Sequence, residues 1–265
     1  MTVFNPLPVS SRVARSFGRA AQHYDRHARF QRDVADQLAA RISVTEVEDM
    51  LDLGSGTGYC AQRLQPRYPD ANVTSLDIST AMLAHARQQA TGAGQHWVCG
   101  NAQTLPFRDS SFDLVVSSLT LQWCASPERC FTELHRILKP GGQAWVSTLA
   151  EHTLEELRAS WAAVDDYVHV NSFLTLPAIE AAAQCAPFAT ITVENRRDRY
   201  FYESLSALAK ELKGIGANNL NDGQASGLTG KRKLQQLKSA FEMNHIAGKG
   251  IPVTYDLVFI ALEKP

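Results

Sequence analysis

The chain has 265 residues, of which 45% are hydrophobic and 20% charged, a composition typical of a soluble globular protein rather than a disordered one. A chain of this length buries enough surface to fold without disulfide or metal cross-links, and we expect residues 1–265 to form a single domain. The formal net charge of −1 and the pI near 6.7 exclude the globally basic balance of a dedicated nucleic-acid-binding protein.

The cysteines and histidines indicate neither a disulfide framework nor a metal site. Five cysteines are an odd number, none stands in a C-x-x-C spacing, and we expect small buried thiols. His23 and His27 are four residues apart, but no third ligand is indicated, so no metal is predicted. The first thirty residues lack a continuous apolar stretch, and no run approaches the roughly 18 apolar residues of a membrane span. We therefore expect a cytoplasmic protein that does not associate with membranes.

The first half of the chain predicts an α/β fold. Residues 10–43 carry apolar side chains at steps of three and four, which predicts helix, with a break near Gly18 or the Tyr24–Asp25 pair. Residues 46–150 then alternate short apolar strands with helices. The predicted strands cover residues 47–53, 73–77, 96–99, 112–118 and 143–149, and the predicted helices cover 58–68, 79–90 and 127–138. This alternation predicts a parallel sheet with helices on both faces.

The alternation loosens over residues 151–265. Helices are predicted over 154–168 and 176–185, a strand over 188–193 that extends toward Tyr200, and a last strand over 253–262. Residues 202–250 are predicted to form a helical insertion before that last strand, with helices over 203–213 and 231–244 on either side of a Gly/Asn-rich loop.

A glycine-rich loop follows the first predicted strand. Residues 51–58 read LDLGSGTG, and Asp77 ends the next strand nineteen residues past Gly58. Glycines allow a tight turn and a close approach to a ligand, and a carboxylate at that strand end can accept hydrogen bonds from ribose hydroxyls. The pattern predicts a nucleoside-containing cofactor. Tyr59 occupies the third glycine position of a dinucleotide fingerprint, which counts against NAD without excluding it.

Five motifs in this order resemble the class I S-adenosylmethionine-dependent methyltransferases. They are Asp52-x-Gly54-x-Gly56-x-Gly58, Leu76-Asp77, Gly100-Asn101-Ala102, Phe112-Asp113-Leu114-Val115 and Leu138-Lys139-Pro140-Gly141-Gly142. The resemblance implies a Rossmann-like, doubly wound, mostly parallel seven-stranded sheet. It also implies that the cofactor is S-adenosylmethionine, leaving as S-adenosylhomocysteine. The residues implied to bind it are Asp52, Gly54, Ser55, Gly56, Gly58, Asp77, Ile78, Asn101, Ala102 and Ser117.

Within this assignment, the glycine loop would hold the methionine end of the cofactor and Asp77 the ribose. Asp52 would either fix the loop or reach the cofactor ammonium. Asn101 and Ala102 would face the adenine. Many members of the family have Asp at the position of Asn101, but an amide oxygen can also accept from the adenine amino group.

Three further segments resemble a narrower family, the malonyl-acyl-carrier-protein O-methyltransferases of biotin synthesis. They are Arg15-Ser16-Phe17-Gly18-Arg19-Ala20-Ala21-x-x-Tyr24-Asp25 with Ala28-x-x-Gln31, Leu121-Gln122-Trp123-Cys124, and Leu212-Lys213-Gly214-Ile215-Gly216-Ala217. The resemblance makes residues 10–43 a helical lid, 46–150 the cofactor-binding core and 151–265 the substrate-side half. It implies methyl transfer to the free carboxylate of a malonyl thioester on acyl carrier protein.

The chemistry of that acceptor limits the residues that the reaction needs. A malonyl carboxylate has an ordinary pKa of about 4 and is ionised at neutral pH, so no general base is expected. The protein must align the reacting atoms and exclude water. Tyr24 is a candidate to position the carboxylate or the cofactor. The site needs one well-placed cation or a few neutral donors, because too tight an ion pair with the carboxylate would oppose the step. Gln122, Trp123, Arg199 and Lys213 are candidate substrate-binding residues. Gln122 can donate a hydrogen bond, and the sequence does not tell which basic side chain would meet the carboxylate.

Basic residues are concentrated late in the chain. Residues 196–250 contain ten Lys/Arg and five Asp/Glu, so this segment is basic although the whole chain is slightly acidic. Such a face can steer an acidic carrier protein. Lys231, Arg232 and Lys233 open a predicted helix and are the candidate docking site.

Three alternatives remain open at this stage. A methyltransferase of this kind can act on a small-molecule acid or a quinone precursor. A nicotinamide-dependent oxidoreductase can use the same sheet. The basic segment can belong to a nucleic-acid-binding module, although it lacks interleaved aromatic residues for base stacking.

Overall fold

A computed structural model describes residues 10–90, 94–217 and 230–265. The helices in this part of the chain are α1 (Ser10–Ala20), α2 (Tyr24–His27), α3 (Arg29–Arg41), α4 (Tyr59–Leu64), α5 (Thr80–Gln89), α6 (Pro127–Ile137), α7 (Glu155–Ala162), α8 (Leu176–Gln184), α9 (Leu205–Gly214) and α10 (Lys231–Glu242). The strands are β1 (Asp49–Leu53), β2 (Asn72–Asp77), β3 (Gln95–Cys99), β4 (Phe112–Ser118), β5 (Leu138–Leu149), β6 (Thr190–Tyr202) and β7 (Ile251–Glu263). A short 3₁₀ turn covers Leu121–Trp123.

The strands form one seven-stranded sheet in the order β3-β2-β1-β4-β5-β7-β6. Strands β1 to β5 pair in parallel, whereas β7 runs antiparallel to both neighbours, β5 and β6. Strands β2 and β3 are added on one side of β1, and the chain then crosses back to add β4 on its other side. The carboxyl ends of β1 and β4 therefore flank the switch point, the crevice where ligands bind in open α/β sheets. The predicted Rossmann-like, mostly parallel seven-stranded sheet is therefore confirmed.

Alternating side chains of each central strand pack into two separate cores. On β1, Met50 packs into the first core, while Leu51 and Leu53 pack into the second. The first core lies beneath α3, α4, α7, α9 and α10, and the second beneath α6 and α8. Burial on both faces explains why these strands read as continuous apolar runs rather than as alternating patterns.

The N-terminal region forms three helices rather than one or two. The chain turns at residues 21–23 and again at Ala28, whereas Gly18 lies inside α1, where an added Cβ would come within 3.1 Å of Ser79 Oγ. Helix α1 packs against α5, and α2 packs against α9. Buried Phe30 of α3 stacks on Tyr255 of β7 with ring centroids 3.8 Å apart, which fixes the lid to the sheet.

The lid, which comprises α1 to α3, also contacts the segment after α9. Ser16 Oγ donates a buried hydrogen bond of 2.8 Å to the carbonyl oxygen of Gly216. Gly216 has a φ of +76°, and a Cβ there would lie 2.8 Å from the Ser16 carbonyl oxygen. Only glycine tolerates both this backbone conformation and this close approach. The LKGIGA segment is therefore the surface on which α1 and α2 rest.

Two element bounds differ from prediction for identifiable reasons. Helix α7 ends at Ala162 rather than near residue 168, because the chain turns back and His169 stacks on Trp161 with ring centroids 3.5 Å apart. Strand β6 continues to Tyr202, since it pairs with β7 along its whole length. Most of the predicted Gly/Asn-rich loop, residues 218–229, lies outside the described residues.

The cysteines are only partly as predicted. All five are free thiols, but Cys99 and Cys185 are exposed, whereas Cys60, Cys124 and Cys130 are buried. Among the described residues, no helix combines the length and the apolar character that spanning a bilayer requires.

Candidate functional site

A large cavity lies at the carboxyl ends of β1 to β4, beneath the lid. Its empty volume is about 720 Å³, counting the part that opens to solvent, within the usual size range of small-molecule sites. We call it the strand-end cavity. It is lined by Ser10, Val13, Phe17, Tyr24, Leu53, Gly54, Gly56, Leu76, Asp77, Ile78, Met82, Gly100, Asn101, Ala102, Gln103, Ser118, Leu119, Thr120, Trp123 and Cys124.

The glycine loop between β1 and α4 forms one wall of this cavity. The backbone N–H groups of Gly54 and Ser55 both donate to the carbonyl oxygen of Leu76, at 2.7 and 3.0 Å, which ties the loop to the end of β2. Gly54, Gly56 and Gly58 all have positive φ angles. The loop therefore needs three residues that adopt the left-handed region without strain.

Two of these glycines lack a side chain for different reasons. A Cβ on Gly54 would lie 2.0 Å from Thr120 Oγ1, so this position is glycine because β4 ends against it. A Cβ on Gly56 would meet nothing within 4 Å, so this backbone faces open space in the cavity. Gly56 is thus the position that fits the predicted close approach of a ligand.

Asp77 lies at the end of β2, with only 8% of its surface exposed. Its Oδ2 accepts from Gly56 N at 2.9 Å and its Oδ1 accepts from Ser79 N at 2.7 Å. Burial raises the pKa of this carboxyl, and the backbone donors oppose the shift. Each oxygen retains a further lone pair, so the carboxylate can also accept two hydroxyl groups from the cavity.

Ile78, Asn101 and Ala102, which were predicted to bind the cofactor, all line the strand-end cavity. Asn101 Oδ1, however, accepts from the backbone nitrogen of Gln103 at 2.9 Å and from its side-chain nitrogen at 3.3 Å. This amide oxygen therefore shapes the local turn, and the sequence-based role for it as the acceptor of an adenine amino group is at odds with the structure.

Ser117 does not reach the cavity. Its side chain is 3% exposed, and its hydroxyl donates to the carbonyl oxygen of Leu53 at 2.8 Å, joining β4 to β1. The side chains that reach the cavity from the end of β4 belong instead to Ser118 and Thr120. The prediction was one residue off, because successive side chains of a strand point to opposite sides.

A second cavity, which we call the loop cavity, lies between the glycine loop and the lid. Asp25, Arg32 and Asp52 supply charged groups to its lining, and Ser55 contributes a buried hydroxyl oxygen without a hydrogen-bond partner. Acidic and basic groups together are complementary to a zwitterionic amino-acid group. Asp25 Oδ1 also accepts from Thr57 Oγ1 at 2.8 Å, which links the lid to the loop.

Asp52 is fully buried and stabilises the loop from behind. Its Oδ2 accepts from Ala61 N, in the first turn of α4, at 3.0 Å. Burial raises the pKa of Asp52 to about 7, with the nearby Asp77 charge adding to the shift and the Ala61 hydrogen bond opposing it. This contact corresponds to the loop-fixing alternative for Asp52, although the side chain also lines the loop cavity.

A third cavity, the lid cavity, lies between the lid and the C-terminal half of the chain. Its empty volume is about 530 Å³, and its lining is mostly apolar. It is lined by Phe17, Tyr24, Phe30, Gln31, Leu119, Gln122, Trp123, Leu149, Thr153, Leu154, Asn171, Phe173, Leu212, Ile215, Ala217 and Tyr255. The predicted Gln122 and Trp123 are both part of this lining.

Tyr24 lines all three cavities and therefore marks the point where they meet. Burial raises the pKa of its hydroxyl well above the ordinary value, and the Asp77 and Asp25 charges add to this shift. The phenol thus stays protonated and can donate a hydrogen bond. Phe17 packs edge-on against Trp123, with ring centroids 5.2 Å apart, and closes the adjacent wall.

The two predicted basic substrate contacts lie elsewhere. Arg199 is exposed on β6, and its neighbour Tyr200 packs against the first core, so the two side chains point to opposite faces. Lys213 is exposed on α9, whereas Leu212 and Ile215 of the same segment line the lid cavity. The structure therefore corrects both assignments.

The three residues of the predicted docking site, Lys231, Arg232 and Lys233, have different surroundings. Lys231 and Arg232 are exposed at the start of α10. Lys233 instead forms an ion pair with Asp165 at 2.8 Å and lies 5.4 Å from the centre of the Tyr167 ring. The Lys233 and His169 hydrogen bonds lower the pKa of Asp165 to about 2. Lys233 thus attaches α10 to the turn after α7.

Sequence reasoning missed several cavity residues. Thr120 and Leu119 follow β4, and Leu119 has a φ of +54°, a conformation that non-glycine residues rarely adopt. No local pattern signals either residue. Gln31 stood in the lid motif without an assigned role. It lines both the loop and lid cavities, and its buried Oε1 has no hydrogen-bond partner.

Among the described residues, one group of three His, Cys, Asp or Glu side chains has its possible ligand atoms within 4.8 Å of one another, namely Glu48, Asp49 and Asp113. They lie at the start of β1 and β4, at the opposite edge of the sheet from the cavities. Lys139 Nζ lies 2.9 Å from both Asp49 Oδ2 and Asp113 Oδ2, so an ammonium group already pairs with two of the three carboxylates.

The cavities suit an S-adenosylmethionine molecule on several counts. The strand-end cavity offers a carboxylate with spare acceptor capacity at Asp77 and an open backbone face at Gly56. The loop cavity offers an unpartnered buried hydroxyl at Ser55 and charges of both signs. The groups of the strand-end cavity thus match a ribose, and those of the loop cavity match an amino-acid group.

Comparison with known proteins gives independent evidence. Residues 51–146 match a family model described as a methyltransferase domain. The fold resembles that of the YcgJ protein from Bacillus subtilis, with a TM-score of 0.62, 16% identity, and coverage of 88% of this chain and 98% of that chain. At this level of identity, the likeness concerns the fold alone.

Three relatives bear on the family of this chain. The biotin biosynthesis bifunctional protein BioHC from Cellvibrio japonicus is 44% identical over 96% of this chain, which spans only 50% of that relative's length. The malonyl-[acyl-carrier protein] O-methyltransferase from Laribacter hongkongensis is 37% identical over 94% of this chain and 87% of its own length. A second such enzyme, that of Methylococcus capsulatus, is 37% identical over 98% of this chain and 96% of its own length. The chain therefore belongs to the malonyl-[acyl-carrier protein] O-methyltransferase family.

Proposed function

We propose that this protein transfers a methyl group from S-adenosylmethionine to the free carboxylate of a malonyl thioester carried on acyl carrier protein. The product is the methyl ester that starts pimeloyl synthesis for biotin. Membership of the family supports the reaction. The observation that carries the proposal is the meeting of the three cavities at Tyr24, which brings a nucleoside-sized site and an apolar acceptor site to one point.

The cofactor supplies a methyl group on a positively charged sulfur. Asp77 would hold the ribose hydroxyls, Ile78 and Ala102 the adenine, and the loop from Gly54 to Gly58 the methionine end. Arg32 would face the carboxylate of that end, and Asp25, together with Asp52 in its ionised form, would supply negative charge for its ammonium group.

The chain's own residues would then orient and enclose the acceptor. Phe17, Trp123 and the apolar lining of the lid cavity exclude water, which favours a step in which an anion and a sulfonium ion neutralise each other. No proton has to be removed from an ionised carboxylate, so the absence of a histidine from the three cavity linings fits the reaction.

The partner proposed for this activity is acyl carrier protein, which is acidic around its prosthetic group. Lys231 and Arg232 are the exposed cations of α10 that would contact it. Helix α10 packs against α7 and α9, and the ends of both helices border the lid cavity. A carrier docked there would have its prosthetic group near the mouth of that cavity. We propose no nucleic-acid or membrane partner, no metal, and a cytoplasmic location.

The test is a direct assay with mass-spectrometric detection. Purified protein is incubated with S-adenosylmethionine and malonyl-acyl carrier protein, and the carrier-bound thioester is expected to gain about 14 Da. Free malonate, malonyl-coenzyme A and acetyl-acyl carrier protein serve as competing acceptors, the last because it lacks the carboxylate. A preference for a free small acid over the carrier would contradict the proposal. Calorimetric binding of NADH without binding of S-adenosylmethionine would contradict the reaction class.

A further inference from the structure

The lid cavity is lined without any Lys or Arg. All 26 Lys and Arg residues of the chain fall within the described ranges, and none of them contributes to this lining. The nearest sequence-based candidates, Arg199 and Lys213, are exposed at other places. An acceptor carboxylate in this cavity would therefore meet only neutral side chains.

One of the neutral groups is held in a defined orientation. Gln122 lies in the 3₁₀ turn after β4, and its Oε1 accepts a hydrogen bond from Thr148 Oγ1 at 3.1 Å. Thr148 belongs to β5 and is only 2% exposed, so this contact is protected from water. Because the oxygen of the Gln122 amide is engaged, its nitrogen is the atom left to donate to a ligand in the lid cavity.

A second neutral donor comes from the lid, where the three cavities meet. Tyr24 comes from the lid and lines the lid cavity together with Gln122. Its hydroxyl remains protonated, because burial and the charges of Asp77 and Asp25 raise its pKa. A phenol that stays neutral can donate to an anion without adding charge to the site.

We propose that the acceptor carboxylate is held by two neutral donors, the Gln122 amide nitrogen and the Tyr24 hydroxyl, with Thr148 orienting Gln122 and no cation in contact. The proposal rests on the proposed function and specifies how that function's acceptor is bound. Of the two alternatives that the sequence left open, one well-placed cation or a few neutral donors, it selects the neutral donors.

The chemistry of the step explains why a cation would be unfavourable. A carboxylate oxygen forms a bond to the methyl carbon, the carbon–sulfur bond breaks, and its electron pair returns to sulfur. The negative charge on the carboxylate is already reduced in the transition state and is lost in the ester. A Lys or Arg paired with that charge would stabilise the ground state more than the transition state and so slow the reaction. The interaction of a neutral donor with the carboxylate weakens less than that of a cation as the negative charge decreases.

Neutral donors are still required to bind the acceptor. An apolar cavity raises the pKa of a carboxylate, and hydrogen bonds to the ionised form oppose that shift. Two such bonds would keep the acceptor ionised. They would also fix which oxygen faces the methyl group, since aligned reactants need a defined geometry.

The first test replaces the amide by an apolar side chain of similar length. For Gln122→Met we expect kcat/KM for malonyl-acyl carrier protein to fall about 10- to 100-fold, as is usual when a hydrogen bond to a charged group is lost. Affinity for S-adenosylhomocysteine should remain unchanged, because Gln122 does not line the strand-end cavity. Gln184→Met, on the exposed end of α8, is the matched control.

The second test introduces the charge that the structure lacks. For Gln122→Lys we expect KM to fall and kcat to fall as well, a combination that a simple packing defect does not produce. An increase in kcat would overturn the proposal, since it would show that a cation assists the reaction.

A third pair of variants examines the orienting contact without changing Gln122 itself. Thr148→Val removes the hydroxyl at nearly constant volume and should lower kcat/KM several-fold, whereas Thr148→Ser should retain most of the activity. Equal effects of the two variants would show that the hydroxyl does not orient Gln122.

These outcomes separate the inference from the proposed function. Absence of methylation by the wild type would overturn the proposed function. Normal methylation by the wild type together with unchanged kinetics of Gln122→Met would overturn only the inference.

Discussion

Replacing Asp77 with Asn tests the ribose assignment with little change in shape. The carboxylate accepts one hydrogen bond at each oxygen, from Gly56 N and from Ser79 N. Asp77 also lines the strand-end cavity, so its remaining lone pairs are available to a ligand there. An amide offers one acceptor oxygen instead of two and carries no charge. A ribose bound there would lose one charge-assisted hydrogen bond and retain a weaker one.

The magnitude follows from the type of bond lost. Hydrogen bonds to charged groups contribute about 1.5–3 kcal/mol, and about 1.4 kcal/mol corresponds to a tenfold change in affinity. We therefore expect the Kd for S-adenosylhomocysteine to rise about 10- to 100-fold in Asp77→Asn.

The ligand-free protein should change less than the affinity does, because two effects oppose each other. The amide nitrogen must face the N–H group of either Gly56 or Ser79, which costs free energy of folding. At the same time, the substitution removes a carboxylate whose pKa burial has raised, and so removes the cost of keeping it ionised.

The assay is isothermal titration calorimetry with S-adenosylhomocysteine, accompanied by thermal unfolding without ligand. Asp70→Asn is the matched control, since Asp70 is an exposed acid just before the start of the same strand. A Kd within threefold of the wild-type value, in a variant that is folded, would refute the assignment of Asp77 to the ribose.

Three further predictions concern stability and docking. Burial raises the pKa of Asp52 from an ordinary value near 4 to about 7, so the folded state holds a proton that the unfolded state has released. The stabilisation from this bound proton is therefore complete below about pH 4 and is lost as the pH rises to 7. Between pH 5 and pH 8, the free energy of unfolding of the wild type should fall by about 3 kcal/mol more than that of Asp52→Asn, as measured by denaturation at the two pH values. Gly216→Ala should destabilise by about 1–3 kcal/mol in urea denaturation, because of its positive φ and the Ser16 carbonyl 2.8 Å from the new Cβ. Charge reversal at Lys231 and Arg232 should raise KM for the carrier-bound substrate, more at low salt than at high salt, with kcat unchanged.

Each of these predictions has a control and a contradicting result. Equal pH slopes for Asp52→Asn and the wild type would show that Asp52 is not the titrating group. Gly230→Ala adds a Cβ that meets nothing within 4 Å, so a loss of stability equal to that of Gly216→Ala would contradict the contact argument. Charge reversal at Arg108 and Arg129, which are exposed on the face of the sheet that α6 covers, should leave KM unchanged, and an equal rise there would contradict docking on α10.

The candidate site was predictable where its residues follow one another along the chain. The loop at residues 54–58 and Asp77 each stand directly after a strand, and the carboxyl ends of neighbouring parallel strands meet at one edge of the sheet. Local spacing therefore placed them together. Ser117 was misplaced by one residue, because the side-chain period of a strand is two and the bounds of β4 alone do not show which face reaches the cavity.

Contacts between distant segments were not predictable in the same way. Nothing near Thr120 shows that its side chain occupies the space a Cβ of Gly54 would need. Nothing near Lys213 shows that its neighbours Leu212 and Ile215, rather than Lys213 itself, face the lid cavity. Nothing near Lys233 shows that its ammonium group pairs with Asp165, which is far away in the sequence, whereas Lys231 and Arg232 are exposed.

By itself, the sequence determined the α/β class, the order of the strands along the chain and the position of the glycine loop, since periodicity and turn residues act over a few neighbouring positions. The tertiary structure alone decided which charges are paired and which side chains line the cavities. The lid cavity is built from the lid, from the turn after β4, from β7 and from the segment that follows α9. Its most distant members, Phe17 and Tyr255, are more than 200 residues apart in the sequence. Whether a Lys or a Gln faces a substrate depends on how those segments pack, and packing is a property of the whole fold.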